Sequence, residues 1–466
     1  MTRTKKKVSF TEGPLFFKIL IFTLPILATG LLQMLYTIAD NIIVGRFSGD
    51  PNAIGAVGST SSLTHLTINL LTGIAIGAGV VVAQAYGAKQ DKVVSRAVHT
   101  SIVFSAIGGI AFMLIGLLLS RPALELMGTR PELIDDAVLY FRIICLGIPA
   151  TAIYNFGGAV LRSIGDSRTP LIILSSTGLV NVGLNVLFVL VFDMTVDGVA
   201  IATITSQYLS AVGVMSVLMK RCGENYGFSF KKLCFDVPLL KRILRYGIPS
   251  GIQSSLFSIS NIMLTSGMNS LSNAAIKAHT ITGNINSIAF IASNSFHQAA
   301  TTFAGQNFGA KKIDRIRRVT FFCLIQGVLT SILVTQTELL FSDALISLYL
   351  DPSDPNKAET VALANGILAL LMNTYFICGI MDVMTGVLKG FGRVLAPMIS
   401  SLSCICVFRA LWVSFAFPLE PIHNPTGLMA CYPISWAMNI CILTPLIIYT
   451  FRSVSRKFKA EEDTLS

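Results

Sequence analysis

Asp40 is a carboxylate near the far end of an apolar run, Leu15 to Phe47. That run is long enough to cross a bilayer, which takes about 20 residues. An acid inside a span costs about 2.5–3.5 kcal/mol at the bilayer centre and less toward the edge. Gln33, Tyr36, Thr37 and Asp40 recur at helical spacing and share a face. That face must look toward protein or a wet cavity rather than lipid. Asn181 and Asn185 are four apart, as are Thr203 and Gln207, so each pair projects from one face of its helix. Oxygen ligands suit a hard cation. A carboxylate with two carboxamides and a hydroxyl could bind Na+, with Asp40 and Asn181 as ligands, or the carboxylate alone could take a proton. A second acid, Asp382, lies in another apolar stretch, with Thr374, Cys378, Met381 and Thr385 near it on one face. Plainer roles stand beside these. Asp40 could mark a helix end near Arg46, Asn181 and Asn185 could bond between helices for about 0.6 kcal/mol per contact, and Asp382 could pair with Arg409.

The elements that must position these residues are membrane helices. Hydrophobic residues make up 53% of the chain and charged ones only 13%, against about 25% charged in a soluble chain. The net charge of +11 does not point to nucleic acid, because the basic residues are scattered between apolar spans. The nine cysteines are dispersed and form no CxxC pair, which argues against a zinc or disulfide framework and suits small buried hydrophobes. The basic start, MTRTKKKVSFTEG, precedes a run too long for a signal h-region, so that run is kept as a span. No cofactor is expected.

Twelve spans are expected, at about 16–45, 54–84, 97–120, 137–160, 169–192 and 196–219, then 246–269, 278–304, 319–341, 361–388, 394–417 and 427–451. With the N-terminus inside, inner segments hold 27 Lys and Arg and outer segments five. That bias places both termini in the cytoplasm of a multi-pass protein of the cell (inner or plasma) membrane.

The chain also repeats itself. YGAK at Tyr86–Lys89 returns as FGAK at Phe308–Lys311, an offset of 222, and VLRSIG at Val160–Gly165 returns as VLKGFG at Val387–Gly392, an offset of 227. Pro170 and Pro397 keep the second offset, and Pro25 and Pro249 open equivalent first helices. The fold class is therefore an all-α polytopic membrane protein of two parallel six-helix repeats, which commonly place a substrate site between them. The expected domains are an N-lobe at 1–219, a basic cytoplasmic linker at 220–245, a C-lobe at 246–451 and a cytoplasmic tail at 452–466.

These residues carry a family resemblance. The Pro25–Asp40 segment, AQAYGAKQ, LRSIGDSRTP, and LVNVGLN followed by DGVAIAT resemble the MATE (multidrug and toxic compound extrusion) transporters, as do AGQNFGAKK and GIMDVMTGVLKGFG in the second half. The resemblance covers nearly the whole chain. It implies a twelve-helix, two-lobe, V-shaped secondary transporter with a central cavity. It also implies an antiporter that exports organic, often cationic, compounds in exchange for H+ or Na+. The family's N-lobe cation site matches Asp40, Asn181, Asn185 and Thr203, except that an aspartate stands where this chain has Asn185. The loss of that charge leaves the coupling ion open. The family's GxMExxxGxLRG pattern matches GIMDVMTGVLKG, which makes Asp382 a counter-charge for substrate or cation. Its repeat counterpart is Asn155. Some members use a seventh-helix glutamate, and this chain has no acid there.

Polar residues expected to border the cavity are Gln33, Tyr36, Asn155, Gln207, Asn261 and Asn284, together with Asp382. The expected partners are small organic cations and the bilayer, with no nucleic acid, and the expected state is a monomer. A lipid-linked precursor flippase is the nearest rival, but it would favour a cavity rich in Arg and Lys. A membrane enzyme would need a cluster such as HExxH or GxSxG, which is missing. A channel or receptor would work without uphill transport.

Overall fold

The computed structural model describes residues 10–47, 53–221, 227–350 and 355–464. The basic cluster Arg3, Lys5, Lys6 and Lys7, the cysteine Cys222 and the last two residues of the tail lie outside them, as does the side chain of Arg46. Among the described residues the chain is helical and contains no strand. The first repeat holds α1 (Leu15–Phe47), α2 (Ala53–Gly87), α3 (Asp91–Leu126), α4 (Ile134–Leu146), α5 (Ile148–Ser163), α6 (Arg168–Val186) and α7 (Val196–Lys220). The second holds α8 (Val237–Asn269), α9 (Asn273–Gly309), α10 (Ile313–Leu340), α11 (Ser342–Ser347), α12 (Lys357–Gly390), α13 (Leu395–Ser401), α14 (Phe408–Leu411), α15 (Pro425–Met429) and α16 (Cys431–Asp463).

Nine helical segments among the described residues are long and apolar enough to span a membrane, and the pair α4 and α5 makes a tenth with a 44° bend. The bend falls at Gly147-Ile148-Pro149, inside the span expected at 137–160. Pro149 has no N–H for the helix ladder, and a side chain at Gly147 would collide with Oε1 of Gln207. The expected spans at 246–269 and 278–304 lie in α8 and α9. These are long, at 33 and 37 residues, but more polar than the rest. Part of their polar set is turned inward: Ser250, Gln253, Ser260, Thr282, Ser293, Ser295, Thr301, Gln306 and Asn307 are buried, while Asn261, Thr265, Thr280 and Asn284 are exposed. Positions buried against other helices do not need lipid-compatible side chains. Helix α6 runs on through a π turn at Leu187–Val191, and α13 and α14 are joined and followed by π turns at Leu402–Val407 and Trp412–Ala416.

The internal repeat reaches the backbone. Lys89 and Lys311 both adopt left-handed φ, 58° and 57°, and Gly165 and Gly392 do so at 99° and 78°. At each, the amide one residue further on reaches back five residues: Gln90 to Ala85, Lys312 to Asn307, Asp166 to Leu161 and Arg393 to Leu388, at 2.9–3.0 Å. That is the Schellman ending. It recurs in pairs at the two sequence offsets.

By packing, the described residues divide into one unit of 25–251 and another of 10–24 with 252–464. The lobes expected at 1–219 and 246–451 partition the chain by repeat. The packing partition differs in the opening turns of α1 and α8. In the first unit, Phe228 stacks on His99 at 4.9 Å, and Arg242 donates to Gln84 at 2.6 Å. There Gly247 and Gly251 cross Gly77 and Gly73. A Cβ on Gly73 would collide with the Gly251 Cα, so the two backbones touch. In the second unit, Phe10 stacks on Phe303 at 3.9 Å, and its carbonyl accepts from Arg315 Nε at 3.0 Å. Its core is the pairing of α9 with α12 along their lengths. Gly386 lets the His297 carbonyl approach to within 2.5 Å of where a Cβ would sit.

Candidate cation and substrate site

In the first unit, α1 carries Asp40 against α6. Asn185 Nδ2 donates to Asp40 Oδ1 at 2.5 Å and lies 3.4 Å from Asn181 Oδ1. Asn181 and Asn185 are buried, as their i, i+4 spacing on the inner face of α6 requires. Asn185 Oδ1 is buried and has no hydrogen-bond partner among the described residues. The Asp40 carboxylate and the Asn181 amide oxygen thus both face the Asn185 NH2, and the Asn185 amide oxygen is left without a donor among the described residues. Such an orphan acceptor is costly, about 1–3 kcal/mol, and suits a bound cation or a donated proton. Thr203, on α7, spends its hydroxyl proton on the Val199 carbonyl at 2.9 Å. Its oxygen keeps lone pairs, but no bond joins it to Asp40 among the described residues.

Tyr36, one turn before Asp40, lies flat on α6. Its hydroxyl donates to the Ser175 carbonyl at 3.1 Å, and a Cβ on Gly178 would overlap its ring. Only glycine fits there. Gln33 and Thr37 on the same helix are exposed. Tyr140 of α4 lies within electrostatic reach of Asp40 and was not singled out from sequence, because one tyrosine in an apolar run gives no signal. An apolar cluster of Ile43, Val189, Val196 and Val199 seals this end of the unit.

Gln207 lines a narrow cleft of about 20 Å3 with Thr64, Thr67, Phe141, Cys145 and Thr151, and its Oε1 is buried without a partner among the described residues. The cleft is mostly apolar with a few hydroxyls, and its room is on the scale of a water molecule or so rather than a ligand. Asn155, on α5, is half-buried, and no bond ties it to this cleft.

In the second unit, Asp382 on α12 accepts from Ser293 Oγ of α9 at 2.6 Å, and its carbonyl contacts His297 Nδ1 at 2.9 Å. Lys389, also buried, lies within its field. The alternative pairing of Asp382 with Arg409 is not made: Arg409 donates to Ser435 Oγ at 3.2 Å and stacks over Tyr432 at 3.8 Å. Asn261 is exposed and accepts from the Tyr432 hydroxyl at 3.0 Å. Asn284 is exposed and makes no bond to Asp382.

A family model, MatE, matches residues 25–187 and 249–413, one match in each repeat. The chain belongs to the MatE family. The MATE chain is 28% identical over 444 residues to the "probable multidrug resistance protein YoeA" of Bacillus subtilis, covering 91% of each chain. It is 24% identical over 449 residues to the "multidrug export protein MepA" of Staphylococcus aureus, covering 95% of each. Among solved structures, a crystal structure of MATE in the straight conformation superposes with a TM-score of 0.85 at 19% identity, over 98% of this chain and 100% of that one. The outward-facing conformation of a multidrug resistance MATE family transporter gives 0.86, also at 19% identity, over 98% and 100%. Those likenesses show the fold. A MATE protein of this architecture is a multi-pass membrane transporter rather than an enzyme.

Proposed function

We propose that this MATE protein is a secondary active multidrug antiporter of the cell membrane, monomeric and with both termini in the cytoplasm, that exports small organic cations as H+ or Na+ enters. The observation that carries this reading is Asp40 in an apolar span, held by Asn185, whose own Oδ1 lacks a partner among the described residues. The names of the Bacillus and Staphylococcus relatives support the multidrug part.

Asn185 turns its NH2 toward Asp40, the arrangement an ionised carboxylate prefers. A half-turn of that amide would bring Oδ1 to the carboxylate instead. Two oxygens repel there unless a proton or a Na+ lies between them. Loading Asp40 therefore changes which face of Asn185 is favoured and removes a charge from the bilayer. Either change can bias alternating access between outward-open and inward-open packings. The organic cation is drawn by Asp40 or Asp382 and held by apolar contacts. Asp40→Asn should abolish ion-coupled efflux from cells while the protein still inserts. Efflux that stays coupled would overturn the reading.

A further inference from the structure

The mechanism above leaves one buried acid without a role. Glu338, near the end of α10, is 5% exposed. Neither carboxylate oxygen has a hydrogen-bond partner among the described residues, and Glu338 enters none of their ion pairs. Its carboxylate lies against the backbone of Ala289 on α9. Ser293, which donates to Asp382, is one turn further along the same helix, about 6 Å. Tyr375, two turns before Asp382 on α12 and itself buried, is within electrostatic reach of both acids. The two carboxylates thus face one stretch of α9, with a tyrosine within reach of both.

The charged and titratable groups around them are few. Helix α9 offers His297, bonded to the Asp382 carbonyl. Helix α12 offers Tyr375, Cys378, Asp382 and Lys389, and the C-terminal helices offer Arg409 and Tyr432. Arg409 is committed to Ser435 and Tyr432. With at most the Ala289 backbone N–H beside it and no counter-charge, an ionised carboxylate in such a place is several kcal/mol uphill. A carboxyl there takes a proton instead.

We propose that Glu338 is a proton-binding site of the second unit, loaded in the arrangement seen here and emptied when water reaches it past Tyr375 from the Asp382 side. The carboxyl O–H breaks, its proton passes to that water, and solvent restores it on return. This rests on the antiport reading and deepens it: the second unit carries a proton of its own, separate from the ion at Asp40.

The test uses purified full-length protein in detergent, with a pH step alone as the probe. Infrared difference spectra would follow the carboxyl C=O stretch, and a pH indicator would follow proton release, in wild type, Glu338→Gln, Asp382→Asn and Asp40→Asn. The proposal expects one C=O band and its proton to vanish in Glu338→Gln and to persist in Asp40→Asn. Glu338→Asp, which keeps the carboxyl if the glutamine variant fails to fold, should shift the band without removing it. Superimposable titrations of wild type and Glu338→Gln would overturn the proposal, because they would mean an acid that stays neutral throughout. So would a Glu338→Asp band identical to that of wild type. None of these readouts requires transport, so failure of the antiport reading would show separately, as absent flux of ethidium in vesicles.

Discussion

Asn185 donates its amide N–H to Asp40 across the α6–α1 contact at 2.5 Å, and no other hydrogen-bond donor to that carboxylate is found among the described residues. The amide is both the support of the acid and, through its unpaired oxygen, a reporter of whether the acid is loaded. Replacing it separates the two roles. Asn185→Leu removes the donor and should lower stability by about 1–3 kcal/mol, read as a drop in melting temperature in detergent.

Asn185→Asp should act differently. Two carboxylates at one site cannot both ionise cheaply unless a cation lies between them. Added NaCl should therefore raise the melting temperature of Asn185→Asp more than that of wild type, with choline chloride as the ionic-strength control. Equal shifts would show that the position takes no part in cation binding.

Tyr36 depends on Gly178. A methyl there would overlap the ring, so Gly178→Ala must displace Tyr36 or part α1 from α6. The expected cost is about 1–3 kcal/mol, together with reduced transport. Tyr36→Phe keeps the ring, loses only the bond to Ser175 and should cost about 0.5–1.5 kcal/mol. A Gly178→Ala protein as stable as wild type would contradict this packing.

Asp382 makes one side-chain hydrogen bond, to Ser293, and no ion pair among the described residues. Its charge is thus available to a ligand or a proton. Asp382→Asn should weaken binding of cationic compounds several-fold more than that of neutral ones, measured by fluorescence titration of the purified protein. Equal losses would remove its role as a counter-charge.

Much of this architecture was legible in the sequence because the bilayer demands it. A run of about 20 apolar residues has few other uses, and the paired YGAK and FGAK turns marked helix ends that share one hydrogen-bonding pattern. The i, i+4 spacing of Asn181 and Asn185 placed both on the face that meets Asp40. Thr203 shared that pattern but turned its hydroxyl to its own helix, a choice any membrane threonine has. Glu338 went unnoticed because TQTELL at a span's end looks like an interface. Only the packing of α9 and α12 around it reveals the burial. The π turns in α6 and around α14 carried no local signal either, since the Val, Leu and Phe residues there fit an ordinary helix.

Whether Asp40 couples transport to an ion is decided by flux of ethidium in reconstituted vesicles under an imposed gradient of pH or of Na+, comparing wild type with Asp40→Asn. Wild type is expected to move ethidium uphill under at least one gradient and Asp40→Asn under neither, at equal amounts of inserted protein. Uphill movement that survives Asp40→Asn would contradict it.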